Sequence, residues 1–413
     1  MKRSPRSNVR RLAVGRLISV TGGAAAYTAL MFTVWNKTHS ATWQSIALLL
    51  TFGVVGILSP LTGHLGDRFD RRKVMMISES IAAAVFFAMA FLDAPKLLIA
   101  FAFVSAMAES PFWSASAAAI PNLVEREEDI AWANSLLGLG RNAGIMLGPV
   151  VGGVLLFALG PSWVFAINGA TFILSVLLTL SVKADYSSEH SAAEEEEHQG
   201  IAAGLRFIWR DRPLRVMVIA WFVFLLGAGM GMVADAPLAE HFGAGSAGFG
   251  LLITCWGLGS VVGSLLGRKL TERTEPIWLV LGAAGIGAAG LGILLAPTFS
   301  IVLASLLVMG TSDGISIVAE QGIMMRRSPD AVRSRVMAGF DALLSVGIAI
   351  AYVFAGPVLK ALGPKGVYGV GGASAAVAAL LLLPMLRLRR EVGAEQTGAE
   401  PTLEVMPASP ELG

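Results

Sequence analysis

Polar residues in this chain come in short bursts separated by long apolar stretches, and that spacing is the first structural signal. Apolar runs of about 20 residues, each enough to carry a helix across a hydrocarbon layer roughly 30 Å thick, recur along nearly the whole sequence. The pattern predicts twelve: 11–34, 43–62, 74–92, 97–120, 130–158, 163–182, 214–234, 248–267, 277–295, 299–324, 336–359 and 367–386. The runs are rich in Ala, Leu and Gly and lack the short alternating segments of a membrane barrel, so helices are expected. Residues 183–213 interrupt the series as a polar linker with an acidic, solvated tract at 194–197. The expected architecture is an all-α membrane protein with one six-helix bundle in 1–182, a cytoplasmic linker in 183–213, a second bundle in 214–390 and a disordered tail in 391–413.

Composition agrees with a lipid environment: hydrophobic residues are 55% of the chain, charged residues 15%, and the mean hydropathy is +0.68. Charge adds orientation. Of the 31 Lys and Arg, 25 fall at one set of run ends, four (Lys37, Lys96, Lys360 and Lys365) at the other, and two (Arg16 and Arg141) inside runs. Positive charge is retained on the cytoplasmic side, so both termini are expected there, in a multi-pass protein of the cytoplasmic (inner) membrane. The basic start runs into the first helix without a small-residue cleavage site and reads as a retained anchor. The formal net charge of +2 hides the asymmetry and gives no sign of a nucleic-acid partner. The single cysteine, Cys255, rules out an intramolecular disulfide, and no metal-ligand cluster is expected.

The two halves echo one another. Residues 48–68 (LLLTFGVVGILSPLTGHLGDR) have a counterpart in 251–273 (LLITCWGLGSVVGSLLGRKLTER), both Gly-rich exits into a basic loop. Gly148-Pro149 in the fifth run is matched by Gly356-Pro357 in the eleventh. Internal duplication of this kind implies two pseudo-symmetric bundles around a shared cavity.

The loop at 63–73 reads GHLGDRFDRRK and fits G-x-x-x-D-R-x-x-R-R/K at Gly63, Asp67, Arg68, Arg71 and Arg72. This pattern resembles the loop after the second helix in the major facilitator superfamily, and the similarity covers nearly the whole chain. The resemblance implies a conformational latch: Gly63 allows close helix approach, and the Asp67 carboxylate meets a helix N-terminus or a neighbouring Arg. In the fifth run Gly144, Gly148, Pro149, Gly152 and Gly153 (GIMLGPVVGG) resemble the g-x-x-x-G-P-x-x-G-G signature of the superfamily's antiporters, which points to export. The stretch at 121–136 (PNLVEREEDIAWANSL) leading into Arg141 resembles the enterobactin-exporter and macrolide-efflux branch. Many drug exporters of the superfamily carry an Arg in the fourth helix; 97–120 has none, so their proton-coupling scheme does not transfer directly.

Chemistry must come from ionisable groups in lipid, where a charge costs several kcal/mol unless it is paired or faces water. Glu109, mid-way along the fourth run and followed by Ser110-Pro111, is the first candidate for a proton-binding carboxylate. Arg141 in the fifth run is placed to pair with it, and Asp313 and Asp341 in the tenth and eleventh are the alternative coupling acids. Arg16, Glu79 and Glu320 are expected near helix ends, and Asp235 near the external rim, in structural roles. Phe32, Trp113, Phe222, Met230 and Trp256 are candidates for lining an apolar substrate pocket.

The GAGSAG segment at 243–248 fits G-x-G-x-x-G but follows an apolar helix, so a flexible connection is expected rather than a dinucleotide site. No G-x-x-x-x-G-K-[ST] loop is present, and transport driven by a proton gradient without a cofactor is expected. The sequence therefore predicts a monomeric, non-enzymatic secondary transporter that exports small hydrophobic or amphiphilic compounds such as drugs or siderophores in exchange for protons. A symporter or lysolipid translocator on the same fold is the alternative. A membrane-embedded enzyme is a remote one, because no nucleophile constellation or HExxH motif is present.

Overall fold

A computed structural model of the chain describes residues 5–54, 69–124, 126, 128–182, 200–329 and 332–387. Gly63, Asp67 and Arg68 of the basic loop, the acidic tract at 194–197 and the tail at 391–413 lie outside them. Among the described residues the regular structure is entirely helical.

The first half comprises α1 (Pro5–Thr38), α2 (Ala41–Leu48) continuing into a π-helical turn (Leu49–Val54), α3 (Arg71–Met89), α4 (Pro95–Ala118), the short α5 (Ile120–Leu123), α6 (Glu128–Leu159) and α7 (Pro161–Ser181). The second half comprises α8 (Gly200–Arg210), α9 (Arg212–Ala228), α10 (Gly231–His241), α11 (Gly245–Gly267), α12 (Glu275–Leu295), α13 (Phe299–Arg327), α14 (Arg333–Leu382) and a closing 3₁₀ turn (Leu383–Arg387). Nine stretches among the described residues are long and apolar enough to cross a membrane. One of them, Arg335–Leu386, is 52 residues long and turns at Gly363, whose φ of 69° is a left-handed conformation open to glycine, with Pro364 restarting the helix. Counting its two arms separately, with α3 and the Ala41–Val54 stretch, gives the twelve expected spans.

Helix ends differ from the apolar boundaries for a physical reason. Hydropathy marks where lipid stops, whereas a helix continues as long as its backbone hydrogen bonds do, so α1 runs through the basic segment before residue 11 and on to Thr38. The seventh run is broken at Gly229-Met230 into α9 and α10. Part of the expected linker is helical: α8 places Ile208 in the core and leaves Trp209 half exposed. Gly243 and Gly245 both take positive φ and turn the chain from α10 into α11; of the GAGSAG segment, expected as a connection, only Gly243 and Ala244 connect, and residues 245–248 form the first turn of α11.

The halves repeat one packing scheme. In the first, α1 packs on α6 and α7, and α3 on α4 and α7; in the second, α9 packs on both arms of α14, and α12 on α13 and α14. Two main interfaces join the halves, α6 against α11 and α2 against α14, with smaller contacts of α1 and α2 on α10. Both main interfaces are glycine contacts. A Cβ on Gly153 would lie 2.7 Å from the Gly250 carbonyl oxygen, and one on Gly250 would lie 2.8 Å from that of Gly153. A Cβ on Gly356 would approach the Ser45 hydroxyl at 3.1 Å and the Ala41 carbonyl at 3.3 Å.

Three apolar clusters show how the halves meet. The largest contains Leu30, Val34, Leu48 and Phe165 from the first half with Val233, Phe249, Tyr352 and Leu359 from the second. At the opposite end the cores separate, one drawn only from the first half, including Val9, Met75, Ile120 and Val182, and one only from the second, including Ile208, Leu214, Phe340 and Met385. Among the described residues the bundles share one apolar core at the end bearing Thr38 and Pro95, and keep separate cores at the end bearing the Arg-rich segments.

Polar contacts reinforce the fused end. The Trp35 indole N–H donates to the Glu240 carboxylate, and His39 Nε2 lies 3.3 Å from the same group. Phe32 and Phe249 are 5.5 Å apart across the interface. A Gly250→Ala substitution, whose methyl meets the Gly153 backbone, is expected to destabilise the protein by about 1–3 kcal/mol, the cost of overpacking a close contact; a fall in Tm of the detergent-purified protein checks it.

Candidate functional site

Ionisable side chains converge on the cleft between the bundles and on the interior of the first bundle beside it. In the first half the centre is Trp113 on α4. The Arg16 guanidinium, from α1, lies 4.8 Å from its ring centroid and 5.9 Å from that of Phe112. The Arg141 guanidinium, from α6, lies 5.4 Å from the Trp113 centroid. An indole face attracts a cation through its quadrupole, so one aromatic ring holds two arginines that would otherwise repel.

Behind this stack lies Glu79 on α3, which is 1% exposed and accepts a hydrogen bond from the Ser175 hydroxyl of α7. Glu109 accepts from Ser105, one turn earlier in α4, at 2.8 Å. Glu79 is within electrostatic reach of both Glu109 and Arg16. The expected pairing of Arg141 with Glu109 is not formed: Arg141 sits over Trp113 and is within electrostatic reach of Asp341 in the other half. Arg16 and Glu79, expected near helix ends, are packed inside the first bundle, at 9% and 1% exposure. Glu320 also lies within its bundle, in electrostatic reach of Asp313 and Asp341.

The wall supplied by the second half is acidic. Asp313 and Glu320 lie on α13 and Asp341 on the first arm of α14. Asp341 and Arg141 are both exposed in the separated part of the molecule. Asp235, expected near the rim, accepts a hydrogen bond from the Tyr368 hydroxyl, tying α10 to the second arm of α14.

The GIMLGPVVGG segment faces two ways. Gly144, Gly148 and Gly152, four residues apart, lie against α1: their Cβ positions meet Val20, Ala24 and Ala25 respectively, with that of Gly152 at 2.7 Å from the Ala25 Cα. Gly153 turns to α11 of the other half. Pro149 sits inside the helix between them. This helix is thus in backbone contact with its own bundle and with the partner bundle.

Of the basic-loop residues, Arg71 begins α3 and Arg72 donates to the Leu180 carbonyl at 2.8 Å. Asp70, which the motif reading passed over, caps α3 by accepting from the Lys73 backbone N–H at 2.9 Å. At the same end of the second half, Asp211 caps α9 through the Leu214 N–H at 3.0 Å and pairs with Arg327 at 2.9 Å, while Arg326 pairs with Glu275. An Asp just before an apolar run and Arg at the end of another were the available signals.

Among the aromatic and Met candidates, Trp113 stands among the charged groups. Phe32 and Met230 belong to the fused end, where Met230 is 8% exposed. Phe222 packs at Gly347 of α14, and the Trp256 backbone lies against Gly310 of α13. Among the described residues no group of His, Cys, Asp and Glu is arranged to hold a metal.

The arrangement can bind protons on carboxylates set within apolar helices and hold a charged or amphiphilic molecule between an arginine and an acidic wall. Asp341→Cys in a Cys255→Ser background is expected to react readily with a water-soluble maleimide, whereas Met230→Cys in the same background stays unlabelled. Mass shifts of the intact protein read both.

The sequence profile of the Major Facilitator Superfamily matches residues 12–236 and 228–410. Among curated proteins, the enterobactin exporter EntS of Shigella boydii is 25% identical over 396 residues, covering 92% of each chain. EntS of an Escherichia coli strain gives the same identity and coverage. Among solved structures, the chain resembles a bacterial homologue of the human lysosomal transporter Spinster, in an inward-facing and unoccupied conformation, with a TM-score of 0.68 at 14% identity, covering 99% of this chain and 100% of that one. The nucleoside transporter NupG gives a TM-score of 0.69 at 15% identity, covering 92% and 99%.

Proposed function

This chain belongs to the Major Facilitator Superfamily and is a multi-pass membrane transporter, and from that premise we propose that it exports small hydrophobic or amphiphilic compounds in exchange for protons. The observation that carries this reading is the set of charges set within the apolar helices of both halves, with Arg141 in electrostatic reach of Asp341, and Asp341 and Asp313 in reach of Glu320. Such charges are tolerated within a membrane where they face water or a partner, and they mark ion and substrate paths. The direction rests on the GIMLGPVVGG helix and on similarity to proteins described as enterobactin exporters. Siderophores and lipophilic drugs are the proposed cargo, and the proton gradient is the proposed energy source.

The Arg-rich end is assigned to the cytoplasm of the inner membrane by its excess positive charge, with both termini on that side. On this assignment the structure is open to the cytoplasm, ready to load cargo. The latch of Gly63, Asp67, Arg68, Arg71 and Arg72 then belongs to the opposite state, holding the cytoplasmic ends together when the cleft opens outward. The working unit is the monomer, since each chain supplies both walls of the cleft.

In everted vesicles, enterobactin and a panel of lipophilic drugs are expected to elicit proton movement out of the lumen in the wild type. Glu109→Gln is expected to abolish that signal, and Asp67→Asn to slow transport at unchanged membrane abundance. Uptake of a compound with no proton signal in the wild type would overturn antiport and leave a symporter or facilitator.

A further inference from the structure

The carboxylate that the cleft does not use is Glu79. It is 1% exposed, on α3, and its two oxygens differ: Oε1 accepts from the Ser175 hydroxyl, while Oε2 accepts no hydrogen bond from the described residues. Arg16, 9% exposed, is similarly incomplete, because its Nε donates to no described group. A buried polar atom without a partner costs free energy. Here an acceptor and a donor of complementary charge are both left short within electrostatic reach of one another.

A cavity of about 10 Å³ borders Arg16 and Ser175, the serine that donates to Glu79; Ser116, Thr179 and the apolar Leu12 and Phe112 are also in its lining. That volume, with one guanidinium and three hydroxyls in the lining, suits a single water molecule. The groups facing Glu79 are Arg16 from α1, Glu109 from α4 and Ser175 from α7; from α6, Arg141 faces Arg16. On its other side the Arg16 guanidinium lies over Trp113, the ring that also carries Arg141 at the cleft.

We propose that Glu79 and Arg16 form a proton-operated switch inside the first bundle, and that Trp113 relays its state to Arg141 in the cargo cleft. With Glu79 protonated, Arg16 has no anion to pair with and rests on the Trp113 face, as in this structure. When the carboxyl gives its proton to water, the carboxylate draws the Arg16 guanidinium from the ring. Arg16 stays charged throughout, so the pair passes from one net positive charge to none. Freed of one cation, Trp113 holds Arg141 more closely and withdraws it from Asp341. Glu79 and Arg16 are thus positioning residues for the cleft, and only the role in transport rests on the proton-coupled reading above.

The test uses the full-length protein in lipid nanodiscs without cargo. Infrared difference spectra across a pH titration report the carboxyl C=O band, and the fluorescence difference between wild type and Trp113→Phe isolates Trp113 emission. Glu79→Gln, which keeps an oxygen for Ser175, is expected to remove one titrating band and the pH step of Trp113. In Glu109→Gln the Trp113 step is expected to persist. A Trp113 step that survives Glu79→Gln, or that is lost instead in Glu109→Gln, would overturn the switch. Should Glu79→Gln fail to fold, Ser175→Ala must displace the midpoint of the Trp113 step, and an unchanged midpoint is equally fatal. If the switch titrates as described while wild-type vesicles show no cargo-driven proton movement, the export reading fails and the switch stands.

Discussion

A helix surrounded by lipid gains little by burying leucine against leucine, because the chains it would displace are equally apolar. What holds this bundle is therefore close backbone approach, and the contacts that permit it are glycines. Gly153 and Gly250 meet backbone to backbone between the halves. Gly259 and Gly263 of α11 interlock with Gly310 and Gly314 of α13 within the second half, and Gly144, Gly148 and Gly152 do the same service against α1 in the first. Each set recurs at four-residue spacing, which keeps one narrow stripe of a helix free of side chains.

That constraint determines where the molecule can move. Contacts inside each bundle are interlocked, whereas the bundles meet mainly through two helix pairs, α6 with α11 and α2 with α14, with smaller contacts of α1 and α2 on α10. The shared apolar cluster adds to these pairs at one end only. Rotation about the Gly153–Gly250 and Gly356–Ser45 contacts would open one end as it closes the other, with little repacking within each half. The helix bearing the Gly-Pro motif lies in both kinds of contact, which gives a physical sense to its position in a transporter.

The same separation of the cores explains where charge is tolerated. Asp341 and Arg141 stand in the open part of the cleft, while Arg16 and Glu79 are accommodated inside the first bundle by an aromatic face and a serine. Trp113 connects the two environments. An aromatic ring serves here because it accepts a cation on either face without itself carrying charge.

Much of this was legible in the sequence. Twelve apolar runs, the lopsided Lys and Arg, the internal echo and the glycine motif each state a property of a single segment, and lipid imposes that property whatever the neighbours are. Hydropathy and charge therefore fixed the number of helices and the two-bundle scheme. Other features required the fold. The apolar runs are hydrophobic all round, so periodicity does not say which face of α4 or α6 turns inward, and nothing in the sequence pairs Arg141 with Trp113 rather than Glu109. Glu79 lies only eight positions from the start of α3 and was expected near a helix end, but its burial against Ser175 of α7 is a matter of packing that no single segment states. The helix α8 leaves no apolar run of about 20 residues because it is an eleven-residue amphipathic helix, which packs its apolar side on α14 and α9. Segment identity followed from one-dimensional chemistry; depth, rotation and partnership were decided by pairwise packing.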